Sequence, residues 1–163
     1  MDLTKAQRSA LRSAILAEPT LAAALDAGDD VQVAAWCNAA STFVVWRTSL
    51  DVDEVMGNGF VWTEIDNLPV GKARIWEWMS RLGSINPSKI NVRQGLRDCF
   101  ESAAPQTYGD RQAGTGGVQP HLRRAATNAE RVIANGTGTT ASPGQLRAEG
   151  GVSVSDVATI LRG

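Results

Sequence analysis

The sequence predicts a mainly α-helical fold: a helical bundle with one or two short β-strands and an extended C-terminal arm. Apolar residues recur at helical spacing along much of the chain, whereas β-branched and aromatic residues concentrate in two short stretches. Capping pairs that begin helices occur near both chain ends. A small, polar, glycine-rich stretch at 136–144 precedes the last segment. We therefore predict a helical core domain over residues 1–135, and a hinge with a C-terminal docking arm over residues 136–163.

The first forty residues predict three helices. Thr4 and Gln7 form the capping pair that begins the first helix, and Pro19 ends it because proline disfavours helical geometry in the residue before it. Asp29 or Asp30 caps the third helix. The predicted helices cover residues 4–17, 20–26 and about 30–40.

Two extended segments are predicted in the middle of the chain. Residues 42–48 are rich in β-branched and aromatic side chains, and residues 60–65 have the same character. The connection between them includes a helical turn over residues 51–56, which the Gly-Asn-Gly sequence at 57–59 stops. This arrangement favours a hairpin with a long loop.

Two helices are predicted after these segments. In the first, over residues 69–82, the core-facing stripe follows the spacing i, i+3, i+4, i+7. Because Trp76 lies off this stripe, the helix presents apolar surface in two directions. The second helix covers residues 89–102. The two predicted stripes consist of Ile75, Trp78, Met79 and Leu82, and of Val92, Leu96, Cys99 and Phe100.

The last third of the chain alternates between loops and predicted elements. After a glycine-rich loop, apolar residues recur at helical spacing over four turns, which predicts a long helix. Ser153 and Asp156 form the capping pair of the final helix. The predicted elements are a loop over 104–117, helices over 118–134 and 154–161, and a strand within 145–152.

The charge pattern argues against a protein held mainly by contacts to phosphate. The chain has 16 basic and 17 acidic residues, with a formal net charge of −1. The distribution is uneven, because residues 51–66 include five acids and no base, whereas residues 72–131 include ten bases and five acids. Such asymmetry can form head-to-tail contacts between copies of the chain, and the alternative is two solvated surfaces.

The chain offers few residues for catalysis or metal binding. It has one histidine, His121, and two cysteines, Cys37 and Cys99, too far apart in sequence to indicate a metal site. Both cysteines adjoin aromatic residues, which favours small, buried, apolar roles in a reducing compartment. We predict no catalytic site, cofactor or metal; acids converging in a cleft would instead indicate an enzyme. No apolar stretch is long enough to span a membrane, and no signal peptide is predicted.

Five tryptophans in the first half of the chain indicate assembly rather than catalysis. Bulky aromatic side chains anchor both cores and interfaces, and the sequence does not separate those two roles. The five are Trp36, Trp46, Trp62, Trp76 and Trp78.

Six runs of the sequence are distinctive as a set. They are Phe43-Val-Val-Trp46-Arg-Thr48, Asn58-Gly-Phe-Val-Trp62-Thr-Glu64, Ile75-Trp-Glu-Trp78, Asn91-Val-Arg93-Gln-Gly-Leu-Arg97, Leu122-Arg-Arg-Ala-Ala-Thr-Asn-Ala-Glu130-Arg and Gly136-Thr-Gly-Thr-Thr-Ala-Ser-Pro143. In these runs the chain resembles a family of small proteins of tailed bacteriophages. The resemblance covers roughly residues 36–157, which is most of the chain, and it includes a helix followed by a Gly-Thr-rich hinge and a last segment.

Among phage proteins, the architecture resembles head–tail adaptors, which are structural proteins of the virion. The resemblance implies a ring of copies beneath the portal, with C-terminal arms inserted into crevices of the portal. The implied partners are further copies of the chain, the portal protein and tail or neck proteins, with incidental contact to DNA in the channel and none to a membrane. The implied location is the virion neck, after assembly in the host cytoplasm. The first alternative is a capsid decoration or tail-completion protein.

The predicted interface combines aromatic anchors, an acidic segment that meets a basic face, and the C-terminal arm. Its aromatic and acidic residues are Trp46, Trp62, Trp76, Asp51, Asp53 and Glu54. Its basic and arm residues are Arg123, Arg124, Arg131, Leu146, Val152, Val154 and Leu161. The second alternative is a nucleic-acid-binding phage accessory protein, whose basic helix faces combine the same arginines with Lys89, Arg93 and Arg97.

Overall fold

Helices dominate the structure, a computed structural model that describes residues 1–57, 60–109 and 117–163. The described residues form eleven α-helices, a 3-10 turn and four short strands, which confirms the predicted mainly α class with few strands. The helices are α1 (Lys5–Leu16), α2 (Ala22–Ala27), α3 (Asp30–Asn38), α4 (Val52–Val55), α5 (Trp62–Asp66), α6 (Val70–Ser80), α7 (Ile90–Phe100), α8 (Pro105–Tyr108), α9 (Val118–His121), α10 (Asn128–Ile133) and α11 (Val154–Arg162). The strands are β1 (Ala40–Trp46), β2 (Leu50–Asp51), β3 (Ser84–Ile85) and β4 (Arg123–Thr127).

The chain forms two units, and the first unit contains both chain ends. It consists of Met1–Val45 and Ala125–Gly163, while the second unit consists of Trp46–Arg124. The boundary predicted at residue 135 therefore falls inside the first unit. The physical reason is that α11 packs against α1 and α3, so residues 136–163 contribute to the same core as the N-terminal helices.

Helix packing holds the first unit together, since α1 and α3 each contact both α10 and α11. The three N-terminal helices occur where they were predicted, with Asp29 as the cap of α3. Both predicted capping pairs are confirmed: the Gln7 N–H donates to Thr4 Oγ1 at 3.3 Å, and the Asp156 N–H donates to Ser153 Oγ at 3.1 Å. The buried apolar side chains include Leu11, Ile15, Val33, Cys37, Ala129, Ile133, Val157 and Ile160.

The glycine-rich stretch 136–144 is held against β1. The Val44 N–H donates to Gly138 O at 2.7 Å, and the Gly144 N–H donates to Val44 O at 2.8 Å. Both glycines also adjoin the Phe43 ring. A β-carbon built on Gly138 would overlap the ring, and one built on Gly144 would lie 2.5 Å from Phe43 Cε1. We call residues 136–144 together with Phe43 the glycine clasp, because only glycine allows this close approach.

The prediction of one long helix over residues 118–134 is wrong. The structure instead has α9, then β4 paired with β1, then α10. Thr127 begins α10 as its cap, since the Glu130 N–H donates to Thr127 Oγ1 at 3.2 Å and the Thr127 N–H donates to Glu130 Oε2 at 2.9 Å. A residue that caps a helix cannot lie inside one, and pairing with β1 gives the preceding backbone its hydrogen bonds.

Two predictions of extended structure are also wrong. Residues 60–65 are largely helical because they contain most of α5, and β1 pairs with β4 rather than with this segment in a hairpin. Residues 145–152 contribute an isolated bridge from Gln145 to Asn135 instead of a strand. Packing decides between helix and strand for such short β-branched runs. The predicted loop over 104–117 begins with α8, and its residues 110–116, like 58 and 59 of the predicted stop, lie outside the described residues.

An aromatic cluster lies at the centre of the core of the second unit. In this unit α6 packs on α7, and β2 pairs antiparallel with β3. The Trp76 ring of α6 lies with its centroid 5.2 Å from that of Phe100 in α7 and 5.8 Å from that of Phe60. Such tilted and edge-to-face pairs are the arrangement that aromatic rings prefer. The surrounding buried side chains include Leu50, Val55, Ile85, Leu96, Tyr108 and Leu122.

Each of the two cores contains one buried cysteine, Cys37 in the first unit and Cys99 in the second. The reactivity of each thiol therefore measures the burial of one core. Burial raises the pKa of each thiol to about 11. We therefore expect a thiol reagent at a pH near the ordinary thiol pKa of about 8.5 to modify neither cysteine in the folded protein and both after denaturation. Mass spectrometry of the alkylated protein measures this. Rapid modification of one cysteine in the native state would contradict the burial described for that unit.

Candidate interaction surface

The outer side of α6 carries a row of exposed residues. Val70, Arg74 and Trp78 recur every fourth residue, a spacing that forms one ridge along a helix surface. Leu82 lies just beyond the helix end. Trp78 is 61% exposed, Leu82 70% and Val70 75%. We call these four residues the outer ridge.

The burial of Trp76 explains why Trp78 is exposed. Successive helical residues are about 100° apart, so two residues separated by two positions lie roughly 200° apart around the axis. With Trp76 in the aromatic cluster, Trp78 must lie on the opposite side. The predicted core stripe is therefore wrong for Trp78 and Leu82, whereas Ile75 and Met79 are half-buried against the core. Trp76, predicted at an interface, is only 7% exposed.

Apolar grooves flank the outer ridge. On one side, a groove of about 430 Å³ between α6 and α7 is lined by Met79, Leu82 and Val92. Gly95 also lines it, and a β-carbon built on this glycine would lie 3.4 Å from Met79 Sδ. Another groove, of about 490 Å³, is lined by apolar residues that include Leu68 and Val70. The ridge and its grooves together form a ridged apolar surface of the kind that packs against another protein.

The predicted acids lie around a further groove of the second unit. This acidic groove has a volume of about 660 Å³, and its lining includes Asp51, Asp53, Glu54, Val52, Met56 and Trp76. Arg47 donates to both carboxylate oxygens of Glu54, at 2.9 Å from Nη2 to Oε2, and this hydrogen bonding holds the pKa of Glu54 below its ordinary value. Asp51 and Asp53 are exposed and form no ion pair with a described residue.

The other two predicted aromatic anchors differ in how available they are. Trp46 is half-buried beneath Arg93, whose guanidinium carbon lies 4.2 Å from the centre of a ring of Trp46. Arg93 also donates to the Pro87 carbonyl at 2.6 Å. Trp62 is 59% exposed and packs edge-to-face on Phe60 at 4.9 Å. Trp62 is therefore free to contact a partner, whereas Arg93 covers Trp46.

The predicted basic faces are only partly available for phosphate contacts. Burial lowers the pKa of Arg93, which is committed to a cation–π contact and to backbone carbonyls. A hydrogen bond with Tyr108 raises the pKa of Arg97. Arg123 and Arg124 are half-buried at the start of β4 and belong to the second unit, and the exposed Arg131 belongs to α10 of the first unit. The described structure therefore does not collect these arginines on one helix face.

The predicted arm residues range from buried to exposed. Val152 is buried, and Asn38 holds it by accepting from its N–H and donating to its carbonyl, both at 2.8 Å. Leu146 and Leu161 are half-buried. Val154, at the start of α11, is 44% exposed. Of these residues, Val152 belongs to the core of the first unit and Leu161 packs against it.

Sequence reasoning missed the outer ridge and the basic face of α1. The ridge residues recur at every fourth position from 70 to 82, and this spacing is visible in the sequence. The sequence alone, however, allowed either Trp76 or Trp78 to be the buried tryptophan. In α1, Lys5, Arg8 and Arg12 recur at i, i+3, i+7 without an intervening acid. This spacing places three cations on one side of the helix.

The described residues contain no group of three or more histidine, cysteine, aspartate or glutamate side chains placed to hold a metal ion. Within the same ranges, no helix has the length and apolar character needed to cross a membrane. Comparisons of the chain with protein-family models, with curated proteins and with solved structures found no match.

Proposed function

We propose that the protein is a non-enzymatic structural protein that assembles through the outer ridge of α6. The exposed Trp78, with Val70 on the same helix and Leu82 just beyond its end, is the observation that carries this proposal. Tryptophan and arginine are the residues most enriched among those that dominate binding energy, and Arg74 lies between Val70 and Trp78. Exposed apolar side chains that are grouped in this way mark surfaces that contact another protein.

We further propose that the particular role is that of a head–tail adaptor of a tailed-bacteriophage virion, a ring beneath the portal that links it to the tail. The resemblance of residues 36–157 to small tailed-phage proteins supports this role. Mainly α structure and the exposed ridge are compatible with it. A capsid decoration or tail-completion protein would use the same kind of surface and is the alternative, followed by a nucleic-acid-binding accessory protein.

In this proposal, residues 136–163 are the arm of the helical bundle. In the isolated chain, α11 packs its apolar residues Val157 and Ile160 into the first unit. Transfer of the same apolar face to the portal during assembly would exchange one buried environment for another, as in domain swapping. The glycine clasp would then be the point at which the arm turns.

Self-association of purified protein tests the ridge. We expect Trp78→Ala and Val70→Ser each to weaken it, and Trp78→Ala by at least about tenfold in dissociation constant, because truncating a central tryptophan costs about 2 kcal/mol or more. Sedimentation velocity over a concentration series measures the effect. The matched control is Val31→Ser, because Val31 is 66% exposed in the first turn of α3 in the other unit. Equal association of wild type and both ridge variants would rule out the ridge.

The adaptor role is tested by locating the chain in the particle by cryo-electron microscopy. A ring of density between portal and tail would support the adaptor proposal and trace the arm. Density on the capsid lattice would support a decoration protein instead. Absence from the particle would favour the nucleic-acid-binding alternative, which predicts DNA affinity that falls steeply with salt.

A further inference from the structure

One side of α1 carries three exposed cations. Lys5, Arg8 and Arg12 form no ion pair with a described residue. Arg8 donates to the Leu3 carbonyl at 2.8 Å and Arg12 to the Leu161 carbonyl at 3.2 Å, so both arginines bond to uncharged groups. These three residues line one groove of about 280 Å³ between α1 and α11. We call them the basic stripe.

The stripe does not serve the stability of its own helix. The N-terminal end of a helix carries a partial positive charge, which disfavours cations in the first turn by roughly 0.3–1 kcal/mol each. Lys5 is the first residue of α1, Arg8 follows within the first turn, and the helix has no acid in that turn. Two cations in a turn that disfavours them are expected where the side chains have another use.

The acidic groove of the second unit has the complementary composition. Asp51 and Asp53 lie at its edge as exposed carboxylates without an ion pair to a described residue, while Arg47 already neutralises Glu54. Its lining also includes the apolar side chains of Val52 and Met56. The two surfaces therefore both carry charges without an ion pair to a described residue, and the signs are opposite.

We infer that the basic stripe of one copy docks into the acidic groove of a second copy. This inference rests on the proposed self-assembly and specifies one of its contacts. Arginine pairs strongly with carboxylates through paired hydrogen bonds, so Arg8 and Arg12 can engage Asp51 and Asp53 and fix the register of the two copies. The contact joins two different surfaces of the chain, so it can repeat from copy to copy in a heterologous arrangement. Heterologous contacts form rings when the rotation between copies closes.

A second copy fits the stripe better than DNA does. Three cations would neutralise few phosphates, whereas proteins that depend on phosphate contacts make about 6–10 of them. The formal net charge of −1 also gives DNA no general attraction. The acidic groove, in contrast, offers two exposed carboxylates, Asp51 and Asp53, to the two arginines of the stripe and would repel a phosphate backbone.

Charge reversal tests the inference in the full chain. One variant carries Lys5→Glu, Arg8→Glu and Arg12→Glu, and another carries Asp51→Arg and Asp53→Arg. We expect each to weaken self-association by at least about tenfold at low salt, in sedimentation velocity experiments, and wild-type association to weaken as salt rises. The chain that carries all five substitutions should associate again, because both signs are exchanged. A mixture of the two variants should also associate.

Controls separate this contact from charge in general and from failure to fold. Asp26→Arg with Asp98→Arg changes the net charge as much as the acidic-groove variant and should leave association unchanged, since both acids are exposed and neither lines the grooves described above. Circular dichroism checks that each variant folds. Recovery in the five-substitution chain supports the inference even if one single-surface variant is unstable. If neither charge reversal changes self-association, the docking of stripe and groove is overturned, while the outer ridge remains the site of assembly. If the wild-type protein does not self-associate, both this docking and the proposed assembly through the outer ridge are overturned. DNA binding lost with the stripe, without effect on association, also overturns this docking.

Discussion

Gly138→Ala is expected to destabilise the protein by roughly 2–5 kcal/mol. The Gly138 backbone has a φ of +66°, a left-handed conformation that costs an alanine roughly 1–2 kcal/mol. Its new methyl group would also overlap the Phe43 ring, and overpacking of a close contact costs roughly 1–3 kcal/mol more. The free energy of unfolding from a urea titration, followed by circular dichroism, measures the sum.

Gly28→Ala is the matched control for this prediction. Gly28 has the same φ of +66° in the same unit, but a β-carbon built on it meets nothing within 4 Å. Gly28→Ala should therefore lower the free energy of unfolding only by the cost of placing alanine in the left-handed conformation, roughly 1–2 kcal/mol. The difference between the two variants isolates the overlap with Phe43. If the two substitutions cost the same, the glycine clasp does not close on Phe43 in solution.

Strong local signals made the ends of several helices predictable. The capping pairs of Thr4 with Gln7 and of Ser153 with Asp156 depend on residues only three positions apart, and each begins a helix as predicted. The same kind of pair, Thr127 with Glu130, was present in the sequence but lay inside a longer apolar period. The period suggested one helix, whereas the cap and the pairing with β1 end it there. Local chemistry was the better guide in this case.

The orientation of α6 could not be predicted in the same way. Both Trp76 with Ala73 and Trp78 with Ile75 occur at helical spacing, so either face could have been the buried one. The choice follows from Phe60 and Phe100, which are distant in sequence and form the aromatic cluster around Trp76. The exposed candidate site is the other face of the same helix. Its location therefore depended on tertiary contacts that no local pattern encodes.

The division of the chain was also beyond local signals. Glycine, threonine and serine at 136–144 are typical of a linker, and this composition suggested a separate arm. In the structure, the glycines allow the chain to approach Phe43 closely, which holds the segment instead of freeing it. The final helix then completes the core made by α1 and α3.

Val157→Asp is expected to unfold the first unit. Val157 is fully buried in α11, and its replacement removes roughly 1.5–3 kcal/mol of apolar burial. The new carboxylate would also enter the core without a counter-ion, which raises the total loss above about 4 kcal/mol, a large part of the stability of an ordinary domain. Denaturant unfolding followed by circular dichroism measures the loss. Alkylation of Cys37 should accelerate in parallel, because that thiol lies in the same core.

Val154→Asp is the control that makes this result decisive for the arm. Val154 is the first residue of the same helix and is 44% exposed, so the same substitution buries no charge. An acid in the first turn is favourable for the helix dipole, and the change in stability should stay within about 0.5 kcal/mol. A free C-terminal arm would make the two variants equally stable, since neither valine would then be in a core. A large difference between them would mean that an arm must leave its own core before it can dock on a partner, so that docking competes with the stability of the first unit.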